Sequence, residues 1–155
     1  MDGAHYMRRA IALSAESVAT GGGPFGAVIV RDGTIIGEGI NRVVPHADPT
    51  AHAEIVAIRN ACRTLGTNAL DGATIYTTCE PCPMCLGAIW WARIESIAYG
   101  NTREDAARIG FDDAAIYREV AAPLDRRALP LRRFMAEEAA EAFRLWLLKP
   151  DRVEY

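Results

Sequence analysis

No apolar stretch in this 155-residue chain approaches the ~20 residues that span a bilayer, so a soluble protein without a membrane partner is expected. A large charge excess is missing too. The formal net charge of −3 and pI near 5.6 give no global attraction to phosphate backbones or anionic lipid, which favours a small substrate over nucleic acid. Cysteine is scarce. Four residues exclude a dense disulfide framework and, with two of them better used on a metal, point to a reducing, cytoplasmic setting. Low-complexity runs and internal repeats are absent, which argues against a solenoid or a long disordered segment. Met7-Arg8-Arg9 before Ala10-Ile11-Ala12-Leu13 has the outline of a secretory signal, but Glu16 cuts the apolar run short and a helix reads better. What is present, 50% hydrophobic and 24% charged residues, suits one domain over residues 1–155. A chain of this size buries roughly 70% of the surface its unfolded form exposes.

Helical spacing of Met7, Ala10, Ile11, Ser14, Ala15 and Val18 predicts a first helix over residues 4–19, closed by Gly21-Gly22-Gly23-Pro24. Phe25 to Val30 and Thr34 to Gly39 read as two strands joined by a tight Asp32-Gly33 turn. Asn41 to Pro49 is loop-like, and Pro49-Thr50 opens a helix carrying Ala53, Ile55, Ala57, Ile58, Ala61, Cys62 and Leu65, with His52 and Glu54 in its first turn. Ala73 to Thr78 is a buried strand leading into a second such helix, and Ile94 to Tyr99 a further strand. Strands and helices alternate here, so an α/β sandwich with a partly parallel sheet follows. A helix from Ala114 to Val120 stops at Pro123, residues 123–130 form a linker, and a C-terminal helix with Ala136, Ala140, Phe143, Leu145 and Leu147 ends in a polar tail.

Two stretches carry the chemistry: His52-Ala53-Glu54 and Thr78-Cys79-Glu80-Pro81-Cys82-Pro83-Met84-Cys85. Soft thiolates and an imidazole suit Zn²⁺, and His52, Cys82 and Cys85 as three ligands leave a fourth tetrahedral position open to water. Cys82 and Cys85 fall at a helix N-terminus, i and i+3, where unpaired N–H groups and the dipole favour thiolate. Glu54, two positions from His52, is a poor co-ligand and is better placed beside the open position. A closed structural site with Cys79 as a fourth ligand is the alternative.

Other residues carry plainer readings. Cys62 shares the apolar stripe of its helix and reads as a core thiol. Trp90-Trp91 reads first as packing, Asp112-Asp113 as a helix N-cap, and His5 and His46 as solvated. Arg126-Arg127 and Arg132-Arg133 read as solvated surface rather than a nucleic-acid patch.

A histidine, a glutamate two positions on and a downstream Pro-Cys-x-x-Cys make up the signature of the zinc-dependent nucleobase deaminases. The chain resembles the cytidine deaminase superfamily, and within it the small bacterial guanine deaminases. The resemblance rests on Gly22-Gly23-Pro24-Phe25-Gly26-Ala27-Val28, Asp48-Pro49-Thr50-Ala51-His52-Ala53-Glu54, Cys79 to Ala88, Gly110-Phe111-Asp112-Asp113, Ile116-Tyr117 and a closing Glu154-Tyr155. It implies a three-layer α/β/α fold with a mixed central sheet of about five strands, and a Zn²⁺ cofactor. It also implies hydrolysis of guanine to xanthine and ammonia, with Glu54 and Asp113 moving protons and Phe25, Asn41, Trp91 and Tyr155 holding the purine. A homodimer with residues 131–155 swapped onto the partner is implied as well. Deaminases of guanosine, isocytosine, cytosine or ammeline, a tRNA adenosine deaminase, and a non-enzymatic zinc-stabilised module are the competing readings.

Overall fold

In the computed structural model, which describes residues 3–155, Asp32 and Gly33 both take positive φ, 52° and 75°. Consecutive left-handed residues are what a two-residue hairpin loop needs to match the twist of its strands, and Asp-Gly supplies them at low cost. They join β1 (Gly26–Arg31) to β2 (Thr34–Ile40) as the sequence predicts. On its other side β1 pairs antiparallel with β3 (Thr74–Cys79), which in turn pairs parallel with β4 (Ser96–Asn101). The sheet order is β2-β1-β3-β4.

Strand β1 is buried on both faces, which accounts for its unbroken apolar run. Ala27 and Ile29 pack with Ala53, Ala57 and Ala61 of α3 (Ala53–Leu65) and with Ile89 of α4 (Pro83–Trp91). Val28 and Val30 face Tyr6, Ala10 and Leu13 of α1 (Ala4–Ala19). The expected three-layer α/β/α arrangement with a mixed sheet is therefore present. Cys62 packs against the α3 cluster, as a core thiol should.

Among the described residues the sheet has four strands rather than about five. After β4, Thr102 and Asp105 form a reciprocal capping box that opens α5 (Arg103–Arg108), so the chain turns helical where a further strand would begin. Two short helices escaped the sequence reading: α2 (Val43–His46), in a segment read as loop, and α5, in a segment given no element. The helix carrying His52 also starts later than Pro49-Thr50. The Asp48 carboxylate accepts from the Thr50 amide at 2.8 Å and the Thr50 hydroxyl at 2.7 Å, and the Asp48 carbonyl accepts from Ala51 at 3.1 Å, so Pro49 belongs to a turn.

The chain forms two compact units, the first ending at Asp113 and the second running from Ala114 to Tyr155. In the second, α6 (Ala114–Ala121) is followed by a 3-10 turn at Leu124–Arg126 and by α7 (Ala136–Leu148). The stretch between Pro123 and Pro130 is tied to α6: the Glu119 carboxylate accepts from Ala128 at 2.6 Å and Leu129 at 3.3 Å. Arg126, Arg132 and Arg133 are exposed, as expected of solvated surface, and so are His5 and His46. No helix among the described residues is long and apolar enough to cross a membrane.

The seating of α3 on β2 depends on small residues. A Cβ at Gly39 would run into the Ala53 carbonyl and the Ala57 amide, and one at Gly37 into the Ala57 carbonyl and Ala61. Gly39→Val is expected to cost at least the ~1–3 kcal/mol of an overpacked core, read as a lower urea midpoint. An unchanged midpoint would mean that α3 does not approach β2 this closely.

Candidate metal centre

Two helices begin at one place. His52 is the N-cap of α3 with extended backbone angles (φ −66°, ψ 156°), and Cys82 is the N-cap of α4 with nearly the same angles (φ −64°, ψ 167°). Pro83 follows at the first helical position, where its missing N–H costs nothing. His52 therefore lies just before the helix rather than in its first turn, while Glu54 does occupy that turn. Cys85 sits three residues after Cys82 and faces the same way.

The ligand atoms of His52, Cys82 and Cys85 all lie within 4.8 Å of one another. His52 Nδ1 is 3.6 Å from Cys82 Sγ and 3.4 Å from Cys85 Sγ. A tetrahedral zinc with sulfur at about 2.3 Å and nitrogen at about 2.05 Å sets such atoms about 3.6 Å apart, so the donors present fit that ion. Cys79 is outside the cluster. Its thiol donates to the Thr102 carbonyl at 3.7 Å, and burial, with the charges of Glu54, Glu80 and Asp113, pushes its pKa to about 11. The closed four-ligand alternative thus finds its fourth sulfur turned elsewhere.

By themselves the three donors share protons. A hydrogen bond from the Cys85 thiol, then one from His52, lowers Cys82 to about 4 against the opposing effect of burial. Cys85 is raised by that same bond and by burial, and His52 is raised by its bond to the Cys82 thiolate. The set holds one thiolate ready, and a metal would displace the proton on Cys85.

Glu54 is buried among these groups. Burial raises its pKa first and the Cys82 thiolate adds to the rise, while its own backbone N–H and His52 oppose it. The Thr77 hydroxyl donates to Glu54 Oε1 at 3.4 Å. Sequence reasoning passed over Thr77. The strand alternation was the available signal, since Thr77 points to the same side as Ile75, which packs with α3.

Asp113 also belongs to this neighbourhood. Its carboxyl is raised by burial and by the Cys82 charge, and lowered by its own backbone and by Arg103. Helix α6 starts at the next residue.

Asn41 is buried, with its side chain oriented by its partners. Oδ1 accepts from the Gly23 amide at 3.3 Å and the Val43 amide at 3.2 Å, which identifies that atom as the oxygen. Its own amide donates to the Phe25 carbonyl at 3.1 Å, and the next amide, of Arg42, to the Ala51 carbonyl at 2.9 Å, one residue before His52. Phe25 meets Phe111 edge-on, ring centres 5.0 Å apart, which holds the segment leading to Asp113. Trp91 ends α4, some 9 Å along the helix from Cys85 at 1.5 Å per residue. Trp90 and Trp91 are 73% and 63% exposed, so neither serves the core packing read for them from the sequence. Tyr155 ends the second unit.

Loss of metal should therefore depend on which cysteine is changed. Cys79→Ser is expected to keep about one zinc per chain and Cys82→Ser to lose it, as measured by metal analysis of purified protein. Equal loss in the two variants would restore the closed site.

Residues 2–101 match the family described as the cytidine and deoxycytidylate deaminase zinc-binding region. The chain is 49% identical over 151 residues to guanine deaminase of Bacillus subtilis, 97% of each chain being covered. It is 43% identical over 113 residues to tRNA-specific adenosine deaminase of Haemophilus influenzae, covering 69% of this chain and 65% of that one. The X-ray structure of Bacillus subtilis guanine deaminase superposes with a TM-score of 0.95 at 48% identity, over 100% of this chain and 99% of the other. With its metal-ligating residues grouped as described and its sequence and fold matched over nearly their whole length, the chain belongs to the cytidine and deoxycytidylate deaminase family of zinc-binding enzymes.

Proposed function

We propose that this enzyme hydrolyses guanine, replacing the 2-amino group with oxygen from water to give xanthine and ammonia. The observation that carries the proposal is the end-to-end likeness to the Bacillus subtilis guanine deaminase, which includes the segment after Asp113. The likeness to the tRNA enzyme of Haemophilus influenzae extends over only 113 residues. Deaminases of other amino-substituted rings share the metal chemistry, so guanosine, isocytosine, cytosine and ammeline are the competing substrates.

His52, Cys82 and Cys85 hold the zinc in this reading. A bound zinc supplies Lewis acidity that brings the pKa of water toward ~7. Glu54 takes the proton released from that water and passes it to a ring nitrogen, breaking the amidine conjugation as C2 becomes tetrahedral. Burial suits the carboxyl to this task, because a raised pKa lets it hold the proton between the two transfers. Asp113, raised in the same direction, carries the second proton from the oxygen newly bonded to C2 to the amino group, which leaves as ammonia as the carbonyl forms. Asn41 offers Nδ2 to the purine, since Oδ1 is already taken by two amides. Phe25 and Trp91 supply aromatic surface and Tyr155 closes over the base, which leaves little room for a ribose.

The same reading makes the protein a cytoplasmic enzyme of purine metabolism and a homodimer, with residues 131–155 of one chain docked on its partner. No residue of α7 is buried, and Phe143 and Leu148 are 76% and 79% exposed, so its apolar side calls for a surface to cover. A 13-residue helix is marginal in water without one.

Ammonia release measured over a panel of free bases and nucleosides should be fastest with guanine and much slower with guanosine. Glu54→Gln should bind zinc and lose about 10²-fold or more in turnover. Comparable specificity constants for guanine and guanosine would overturn the closed pocket, and turnover within tenfold of the parent in Glu54→Gln would remove the proton shuttle.

Mixing two inactive variants tests the swap. After co-refolding, Glu54→Gln and a chain lacking its last few residues should recover ammonia release. In a swapped heterodimer one site combines the intact Glu54 of the truncated chain with the intact tail of the other. No recovery in a verified heterodimer would leave each chain with its own tail.

A further inference from the structure

We infer that Arg42 is a positioning residue for substrate recognition, acting through Asn41; the inference rests on the reading of Asn41 as a purine-binding side chain. Arg42 pairs with no carboxylate among the described residues. Its guanidinium is directed instead at neutral acceptors: Nε donates to the Asn41 carbonyl at 2.7 Å, Nη1 to the Thr20 carbonyl at 3.3 Å, and Nη2 to Thr20 Oγ1 at 2.7 Å and the Ser17 carbonyl at 3.3 Å. Ser17 and Thr20 lie at the C-terminal end of α1, where carbonyls lack helical partners and a cation is favourable. The Arg42 amide, in turn, reaches the Ala51 carbonyl next to His52. One residue thus ties the end of α1 to Asn41 and to the segment that enters the metal centre.

The bonds around Asn41 give this tie its meaning. Its carbonyl is held twice, by Arg42 Nε and by the buried Ser17 hydroxyl at 3.1 Å, and its amide and Oδ1 are held by Phe25, Gly23 and Val43. Among the described residues, Nδ2 is the one polar atom of Asn41 with no protein partner. Position 22 keeps the fork clear, because a Cβ on Gly22 would collide with the Asn41 carbonyl and stand 3.0 Å from Arg42 Nη2. Arg42 therefore stabilises the main-chain position from which Asn41 presents Nδ2, and a donor fixed in advance loses less freedom when a ligand arrives. Lysine cannot replace it fully, having one point charge in place of a planar fork.

The test compares Arg42→Ala, Arg42→Lys, Asn41→Ala and the Asn41→Ala/Arg42→Ala double variant, each with verified zinc content and assayed well below its melting temperature. Arg42→Ala should raise KM for guanine about tenfold while kcat stays within about threefold, and Arg42→Lys should fall between it and the parent. The double variant should have a KM no higher than Asn41→Ala alone, because the two residues act as one unit. A lowered melting temperature with parental KM in Arg42→Ala would make Arg42 a structural cap and overturn the inference. Multiplicative KM effects in the double variant would overturn its action through Asn41. If Asn41→Ala itself leaves KM unchanged, the purine-binding reading of Asn41 fails and the inference falls with it; a raised KM there beside a parental KM in Arg42→Ala defeats the inference alone. Should Arg42→Ala not fold, Arg42→Lys decides by the same comparison.

Discussion

The meeting of two helix N-termini is the constraint on which the metal centre depends. An N-cap side chain ordinarily accepts a hydrogen bond from an amide in the first turn, and losing that bond costs about 0.5–2 kcal/mol. Neither His52 nor Cys82 makes such a bond. Both caps take extended backbone angles, and both use their side chains on the shared cluster instead. The first-turn amides lend the cluster partial positive charge, which favours the thiolate at Cys82. Stability given up at two caps is converted into a preformed ligand set.

The sheet brings these caps together. The β3–α4–β4 unit is a parallel crossover, so α4 starts at the carboxyl end of β3 after Glu80-Pro81. The Glu80 amide donates to the Asn101 carbonyl at 2.8 Å and the Asn101 side chain to the Thr78 carbonyl at 2.8 Å, which fixes the turn that delivers Cys82. Helix α3 comes from the other side, lowered onto β2 by Gly37, Gly39 and the alanines opposite. Glu54 is buried in the first turn of that helix, and burial is the leading cause of its raised pKa.

Much of this was legible in the sequence because the signals were local. Asp32-Gly33 names its own turn, and a histidine and two cysteines at metal spacing announce their ligand chemistry. The misses have local causes as well. Pro49 looked like a helix opener, but Asp48 claimed Thr50 for a turn. Thr102 followed by Asp105 was a readable capping box for α5, overlooked because the apolar pattern there is weak. Trp90 and Trp91 looked like core residues by composition, whereas their exposure depends on where α4 ends relative to the sheet, a non-local fact. The partners that orient Asn41 come from α1, from the glycine loop and from α2, and no spacing rule joins those segments.

The proposed function divides chemical labour along the chain. The family match ends at residue 101, and the metal-ligating group found among the described residues, His52, Cys82 and Cys85, lies before that point. Relatives that act on tRNA share this part. Selection among amino-substituted rings has to come from contacts to the ring's edge and faces rather than from the ligands of the metal. In the proposed function those contacts are Asn41, Phe25 and Trp91 in the first unit and Tyr155 at the end of the second. A donor such as Asn41 Nδ2 can discriminate only if it cannot turn to suit another ring. Its immobilisation by five hydrogen bonds to neighbours is thus as much a part of specificity as the group itself.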